Sequence, residues 1–417
     1  MRNNSLSGVL GKSVGKNLCK HLLKQDFWIL FLLCFGMSHF IFGAYCLYAI
    51  APIIILLLPK VKMDRIALLW LAFGGLYLLT TIINPNLVSK RNLDWLFFYP
   101  MICYLVGKYI VQRYGSYSEV ICYLYVALFI CFSGREFLAI IGNMVSYGLI
   151  SVERVVVNEN GEILYTATLY ALYLCVLIAG LGMMFDTPAN ESQKRLKKII
   201  VGLGIVSFLA MMSLVTRASL LLGVVLLMLS LYHLFFSKHR KNDKPTGFIL
   251  FFIVSILLIF VLKSDYADNL FFEFSQRNLV DANEWGGRLP RWGDAISNIY
   301  ENPLGTSSGR LDSSHYVQSW AHNMWLDVFL HSGWLAGAIL LFLSLRSFNN
   351  VIKLQTKQHY SLFLRHYMMA VSLTFLVSCF FEPVVESVYG ILLIFSFHGG
   401  IVDTLVAVDH THKTNIV

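Results

Sequence analysis

Long apolar runs separated by short charged stretches recur along the chain from Trp28 to Val408. Runs of about 20 residues match the hydrocarbon thickness of a bilayer, and their number predicts about twelve membrane-spanning helices. The stretch 27–58 has Lys12, Lys16, Lys20 and Lys24 before it and Lys60, Lys62 and Arg65 after it, so it reads as a tight pair of spans turning near Gly43. Further spans are expected at 66–83, 95–111, 120–141, 165–185, 199–216, 218–236, 247–262, 324–345, 367–385 and 388–408. The expected fold class is all-α, because backbone groups in lipid are satisfied only within helices or closed barrels and these runs are too long and too uniformly apolar for barrel strands. One polytopic membrane domain, 27–408, follows an N-terminal cytoplasmic segment, 1–26, and precedes a cytoplasmic tail, 409–417. A long polar loop, 264–321, interrupts it, and no internal repeat divides it.

The charged connections test this register, since cytoplasmic loops carry an excess of Lys and Arg. Lys108 with Arg113, the KRLKK run at 194–198, the KHRKNDK run at 238–244 and the segment from Arg346 to Arg365 all fall on the expected inner side. The same register puts 84–94, 142–164, the turn at Arg217, the loop 264–321 and the stretch 382–386 outside, with Lys90 and Arg91 as the exception. Within the loop, Arg288, Trp292, Ala295, Ile296 and Ile299 recur at helical spacing, and Asn302-Pro303 with Gly305 ends that helix.

Composition narrows the class. Hydrophobic residues make up 57% of the chain and charged residues 14%, which excludes an ordinary soluble globule. The formal charge of +9 lies beside the spans, where it serves topology and anionic head groups, so membrane lipids rather than nucleic acid are the expected partners. The eight cysteines fall almost entirely in apolar runs, with no CxxC pair, so neither a disulfide framework nor a metal site is expected. The chain has no Walker loop, no GxGxxG opening a helix, no HExxH and no GxSxG, and no cofactor is expected.

The candidate chemistry gathers at the outer side. Arg217, in LVTRASLLLG, is a lone cation where one apolar run ends and the next begins; by itself it reads as snorkelling to head groups. Arg288 follows the Gly286-Gly287 pair at the start of the amphipathic helix, whose free amides also favour anions. Two such guanidinium groups reaching one diphosphate bind it bidentately and neutralise charge on a departing phosphate. Arg291 and Arg310 in the same loop are further anion-binding candidates. His322, followed by Asn323 where the loop returns to the membrane, suits proton acceptance from a sugar hydroxyl, although a histidine at a helix start is more often a cap or an interfacial group. Asp327 lies one turn beyond Asn323 and is placed to orient His322. Glu382 and Glu386 flank Pro383 at an outer edge, where they would bind a sugar or pair with a loop arginine. Arg135 and Glu136 in the fifth run read as an internal ion pair or cavity lining, and Trp285, Trp292, Trp320, Trp325 and Tyr389 as interfacial anchors.

The TRASLL turn at Arg217, the GGRLPRW segment at Arg288, the ENPLG stop, and AHN at His322 with Gly333 downstream together resemble the O-antigen ligase and polymerase superfamily of bacterial envelope enzymes. The hydropathy layout resembles that family, with its GT-C-like architecture, over nearly the whole chain. The resemblance implies metal-independent, inverting glycosyl transfer at the periplasmic face of the inner membrane. The donor would be an undecaprenyl-diphosphate-linked glycan, held by Arg217 and Arg288, and His322 would activate the acceptor hydroxyl. A polymerase extends a lipid-linked repeat, with a chain-length regulator protein as a further partner; a ligase attaches the finished polymer to lipid A core. The ligase pattern of histidine, small polar residue and glycine fits His322, Asn323 and Gly333, with Ala336 at the next small position and glycine following only at Gly337. The AHNMWLDV, FFEPVVESVYG and GGRLPRW stretches resemble polymerases more, and polymerase is the leading expectation. A polytopic transporter or lipid flippase is the rival from another class; it would place its charges near the midplane and show inverted repeats.

Overall fold

The computed structural model describes residues 26–38, 43–83, 97–115, 117–147, 155–157, 163–213, 217–236, 288–305, 321–382, 384 and 388–414. Among these the chain is helical except for one small hairpin. The helices are Phe27–Met37 (α1), Ile53–Leu57 (α2), Arg65–Ile83 (α3), Tyr99–Tyr114 (α4), Ser118–Tyr147 (α5), Ala167–Ile178 (α6), Glu191–Ser213 (α7), Arg217–Phe236 (α8), Arg288–Glu301 (α9), Met324–Gln355 (α10), Leu362–Phe381 (α11) and Tyr389–Thr414 (α12). Two 3-10 segments, Gly43–Ile50 and Ala179–Met183, lead toward α2 and continue α6. The hairpin pairs Val155–Val157 (β1) with Ile163–Thr166 (β2) antiparallel, Val155 opposite Thr166 and Val156 opposite Tyr165, with an irregularity before Val157. Polarity alone does not announce these strands, which straddle the end of an expected outer connection and the start of the following span.

Four of the described helices are long and apolar enough to cross a membrane: Ser118–Ser146, Met324–Gln355, Leu362–Phe381 and Tyr389–Ala407. These support a membrane protein. Shorter apolar helices at Phe27–Met37, Cys46–Leu57, Arg65–Thr80, Leu169–Met183 and Ala218–Leu234 fall on other expected runs. The run 247–262, the N-terminal segment apart from Asp26, and most of the loop 264–321 lie outside the described residues. The pair of spans expected in 27–58 is realised as α1, a 3-10 segment and the short α2.

Helix α12 is the centre of the bundle. Its residues are buried almost without interruption from Val388 to Leu405, so no face is left for lipid, as expected of a helix apolar all round. Glycines set how closely α4 approaches it. A side chain at Gly107 would overlap the Phe397 carbonyl, and one at Gly400 would overlap the Tyr104 carbonyl, so the two backbones touch there. Polar side chains of α12 are met by neighbours: His398 lies between the Tyr125 hydroxyl and the Ser372 hydroxyl, 2.7 Å from each.

The flanks that carry basic residues come together at one end. Asp26, buried before α1, accepts hydrogen bonds from the hydroxyls of Tyr109 and Tyr114 and faces Lys60 at 3.8 Å and Arg113 at 3.6 Å. Asp64 caps α3 through the Ala67 amide and pairs with Lys108. Asp403 on α12 accepts from Arg346 at 3.0 Å and from the Tyr104 hydroxyl at 3.1 Å. Asp186, ahead of α7, faces His366 at 3.0 Å, and the His366 ring stacks on His233 with centroids 3.5 Å apart. Each carboxylate ties together chain segments that the charge register assigns to the same side.

The glycine contact yields a prediction. Gly400→Val is expected to force α4 and α12 apart and destabilise the fold by about 3 kcal/mol, at the upper end of overpacking costs. Gly399→Ala, where the nearest atom would stand 3.9 Å away, is expected to be neutral. Thermal unfolding of the two purified variants in detergent checks the contrast.

Candidate active site

The first part of α10 is built around a break in that helix. Gly333 has φ 79 and ψ 175, outside the helical region, inside what is otherwise one helix. A side chain at Gly337 would run into the ring of Phe329, and the Trp325 indole N–H donates to the Ser344 hydroxyl at 3.1 Å. In an unbroken helix those pairs would be about 12 Å and 28 Å apart at 1.5 Å per residue. Residues 324–332 therefore fold back against residues 334–355, and the run read from sequence as a single span at 324–345 is a short helix followed by a long one. The physical reason is the left-handed glycine, which apolarity does not reveal.

The break receives the end of α9. The Trp334 amide donates to the Pro303 carbonyl at 2.9 Å, and its indole N–H to the Ile299 carbonyl at 2.8 Å. Gly305, with φ 93, lies so close that a side chain there would meet the His331 carbonyl at 2.8 Å. The ENPLG stop thus ends a helix and docks it. Along α9, Trp292, Ala295 and Ile299 pack on Ala321, Leu326, Phe329 and Leu330, the helical stripe expected from their spacing; Ile296, counted in that stripe, faces outward and is 54% exposed.

His322 sits where these parts meet. Its backbone is left-handed, φ 54, a conformation uncommon for residues other than glycine. The amides on either side are held by one carboxylate: Asp327, buried, accepts from the Ala321 N–H at 2.6 Å and from the Asn323 N–H at 3.1 Å. The expectation that Asp327 orients His322 takes the form of a backbone clamp. Trp292 closes the third side, its indole donating to the Ala321 carbonyl at 2.8 Å and its ring meeting Phe380 edge-on. Asn323 caps α10, accepting from the amides of Trp325 and Leu326, and its amide nitrogen donates to the Phe380 carbonyl at 3.2 Å. The side chain of Asn323 is engaged by the fold on both its oxygen and its nitrogen. Glu382, at the end of α11, brings Oε2 to 3.7 Å from His322 Nδ1.

The other candidates approach the same end through their helices. His233 of α8 stacks on His366 of α11, and as many residues separate His233 from Arg217 as separate His366 from Glu382. Arg288 opens α9 one turn before Trp292, so its backbone lies near Ala321 and His322. Phe132 of α5 meets Gly390 near the start of α12, and Arg135 and Glu136 follow one turn beyond, toward the same end. Glu136, next to Arg135 on α5, is 1% exposed. Arg291 is half-buried beside Trp292. The side chains of Arg217 and Arg288, and the whole of Arg310 and Glu386, lie outside the described residues.

The bond of Trp292 to the Ala321 carbonyl and the break at Gly333 have no signature in helical spacing or hydropathy. The two glycines at Gly305 and Gly333 and the tryptophan at Trp334 were the available signals, but nothing in their spacing says that they meet. Among the described residues no group of His, Cys, Asp and Glu could hold a metal ion. Comparison with known proteins finds no matching family model and no matching curated sequence.

The clamp at His322 is testable on stability alone. Asp327→Ala leaves two amides, flanking His322, without their acceptor, at about 1–3 kcal/mol for each. Asp327→Asn retains one accepting oxygen and is expected to lose about half as much. Chemical unfolding of both variants in detergent checks the order.

Proposed function

We propose that this protein is a glycosyltransferase of the bacterial inner membrane, working at the periplasmic face as an O-antigen polymerase that joins undecaprenyl-diphosphate-linked repeat units in lipopolysaccharide biosynthesis. One arrangement supports the reading: His322 and Glu382 meet at the start of α10, beside the helix that Arg288 opens, and the charge register read from the sequence groups Arg217 with them. A diphosphate-linked donor needs cations at the leaving group and a base at the acceptor, and nothing in the sequence supplies a nucleotide site instead. Grouping of these residues at an end, rather than at mid-depth, suits a transferase better than a transporter or flippase.

In the proposed reaction the two guanidinium groups bind the donor diphosphate and take up the negative charge that grows on it as its bond to the sugar breaks. The imidazole of His322 accepts the proton of the incoming hydroxyl as its oxygen attacks the anomeric carbon from the opposite face, which inverts the configuration there. The acceptor is a second lipid-linked glycan, and a chain-length regulator protein is the expected partner. The alternative of an O-antigen ligase acting on lipid A core is favoured by a single feature, the spacing from His322-Asn323 to Gly333, the residue at which α10 breaks.

In a reconstituted assay with a diphosphate-linked donor, Arg217→Ala and Arg288→Ala are each expected to lower turnover by about 100-fold or more, the scale for removing a group that stabilises leaving-group charge. His322→Ala is expected to cost about 100- to 10,000-fold, the scale for a general base. All three should insert into the membrane normally; full activity of Arg288→Ala counts against the mechanism. Arg288→Lys keeps the charge but not the bidentate fork and is expected to recover little.

Lipopolysaccharide from a deletion strain separates the two acceptors. Core bearing a single repeat is expected of a polymerase. Bare core with polymer retained on the carrier lipid supports the ligase instead.

A further inference from the structure

One ring nitrogen of His322 faces a buried carboxylate. Nδ1 faces the Glu382 carboxylate at 3.7 Å; the Glu382 side chain is 4% exposed, while that of His322 is 23% exposed. Glu382 is held in place by its own backbone: it ends α11 in an extended conformation, with its amide donating to the Ser378 carbonyl at 3.0 Å. On the other side Asp327 grips both amides flanking His322, so the left-handed backbone that aims the ring is fixed from two directions. A separation of 3.7 Å is an ion-pair distance for an imidazolium and longer than a hydrogen bond, and catalytic hydrogen bonds are commonly long until substrate binds. A purely structural tie between α10 and α11 does not require this pair, because Asn323 already makes one to the Phe380 carbonyl.

We infer that Glu382 is the positioning residue of His322, its carboxylate receiving the Nδ1 proton and leaving the Nε2 lone pair directed at the acceptor hydroxyl. This rests on the transfer reaction proposed above. In the step itself the acceptor O–H bond breaks and its proton passes to Nε2. The hydroxyl oxygen forms the new bond to the anomeric carbon of the donor. The bond from that carbon to the diphosphate oxygen breaks, and its electron pair leaves on undecaprenyl diphosphate. The resulting imidazolium lies against Glu382, whose charge stabilises it until Nε2 returns the proton to water. A buried carboxylate is suited to this because a charge pair attracts more strongly away from water than in it. The end of α11 meets the start of α10, and that contact brings Glu382 to His322.

The test is a double-mutant cycle on the full-length protein in nanodiscs, with a synthetic undecaprenyl-diphosphate-linked repeat as donor. Glu382→Gln is expected to lower kcat by about 10- to 100-fold with KM little changed, because the lost interaction acts in the transition state. On a His322→Ala background the same change should have no further effect, since the two residues act as a unit. Additive losses, or a raised KM with unchanged kcat, overturn the assignment. A second readout does not depend on turnover: nitrogen-15 NMR of histidine-labelled protein should show His322 in the Nδ1–H tautomer, lost in Glu382→Gln. An Nε2–H tautomer in the unsubstituted protein overturns the assignment by itself. If His322→Ala abolishes transfer while Glu382→Gln does not, the Glu382 role fails and the transferase reading stands. If Arg288→Ala and His322→Ala both retain full activity, the transferase reading itself fails.

Discussion

Backbone amides and carbonyls removed from water must find partners within the protein, and the places where this chain stops being helical are governed by that requirement. At each such place a specific group takes up what the helix has released. Asp327 accepts the amides on both sides of His322. The Pro303 carbonyl receives the Trp334 amide at the break in α10. The Ser230 hydroxyl accepts the Phe185 amide after the second 3-10 segment, and Lys197 donates to the Asp186 carbonyl. The irregular backbone is concentrated where polar side chains are also concentrated, and that coincidence is what makes a site among apolar helices.

The bundle has two chemically different ends. At one, buried or half-buried aspartates neutralise the basic flanks of separate helices: Asp26 with Lys60 and Arg113, Asp64 with Lys108, Asp403 with Arg346. Charge there is matched within the protein. At the other, Glu382 approaches His322 beside the first turns of α9, where Trp292 donates to the Ala321 carbonyl. An end at which cations are paired off within the protein is a scaffold. The buried α12 joins the two, in backbone contact with α4 through Gly107 and Gly400, so that the depth of one end is set by the packing of the other.

The described contacts around His322 come from helices. His322 is fixed by a cap, a carboxylate clamp and a tryptophan, each supplied by a helix, and its ring is offered from a strained backbone conformation of the kind that persists when its surroundings over-determine it. Such rigidity suits a reaction in which the enzyme's task is to hold a base and a leaving group in line rather than to supply chemistry through a cofactor.

Hydropathy by itself determined a helical protein with runs long and apolar enough to cross a membrane. These follow from period and composition, which are local properties written in consecutive residues. The helix of Arg288–Glu301 and its stop at Asn302-Pro303 were legible for the same reason. Tertiary structure alone decided that α10 folds back at Gly333, that Trp292 donates to the Ala321 carbonyl beside His322, that Asn323 caps α10, and that Glu382 faces an imidazole. Each of these is a contact between residues remote in sequence, or a left-handed dihedral whose need arises only from such a contact. No local pattern encodes a distance across the bundle, because that distance is set by how closely helices pack, and packing is fixed jointly by all of them.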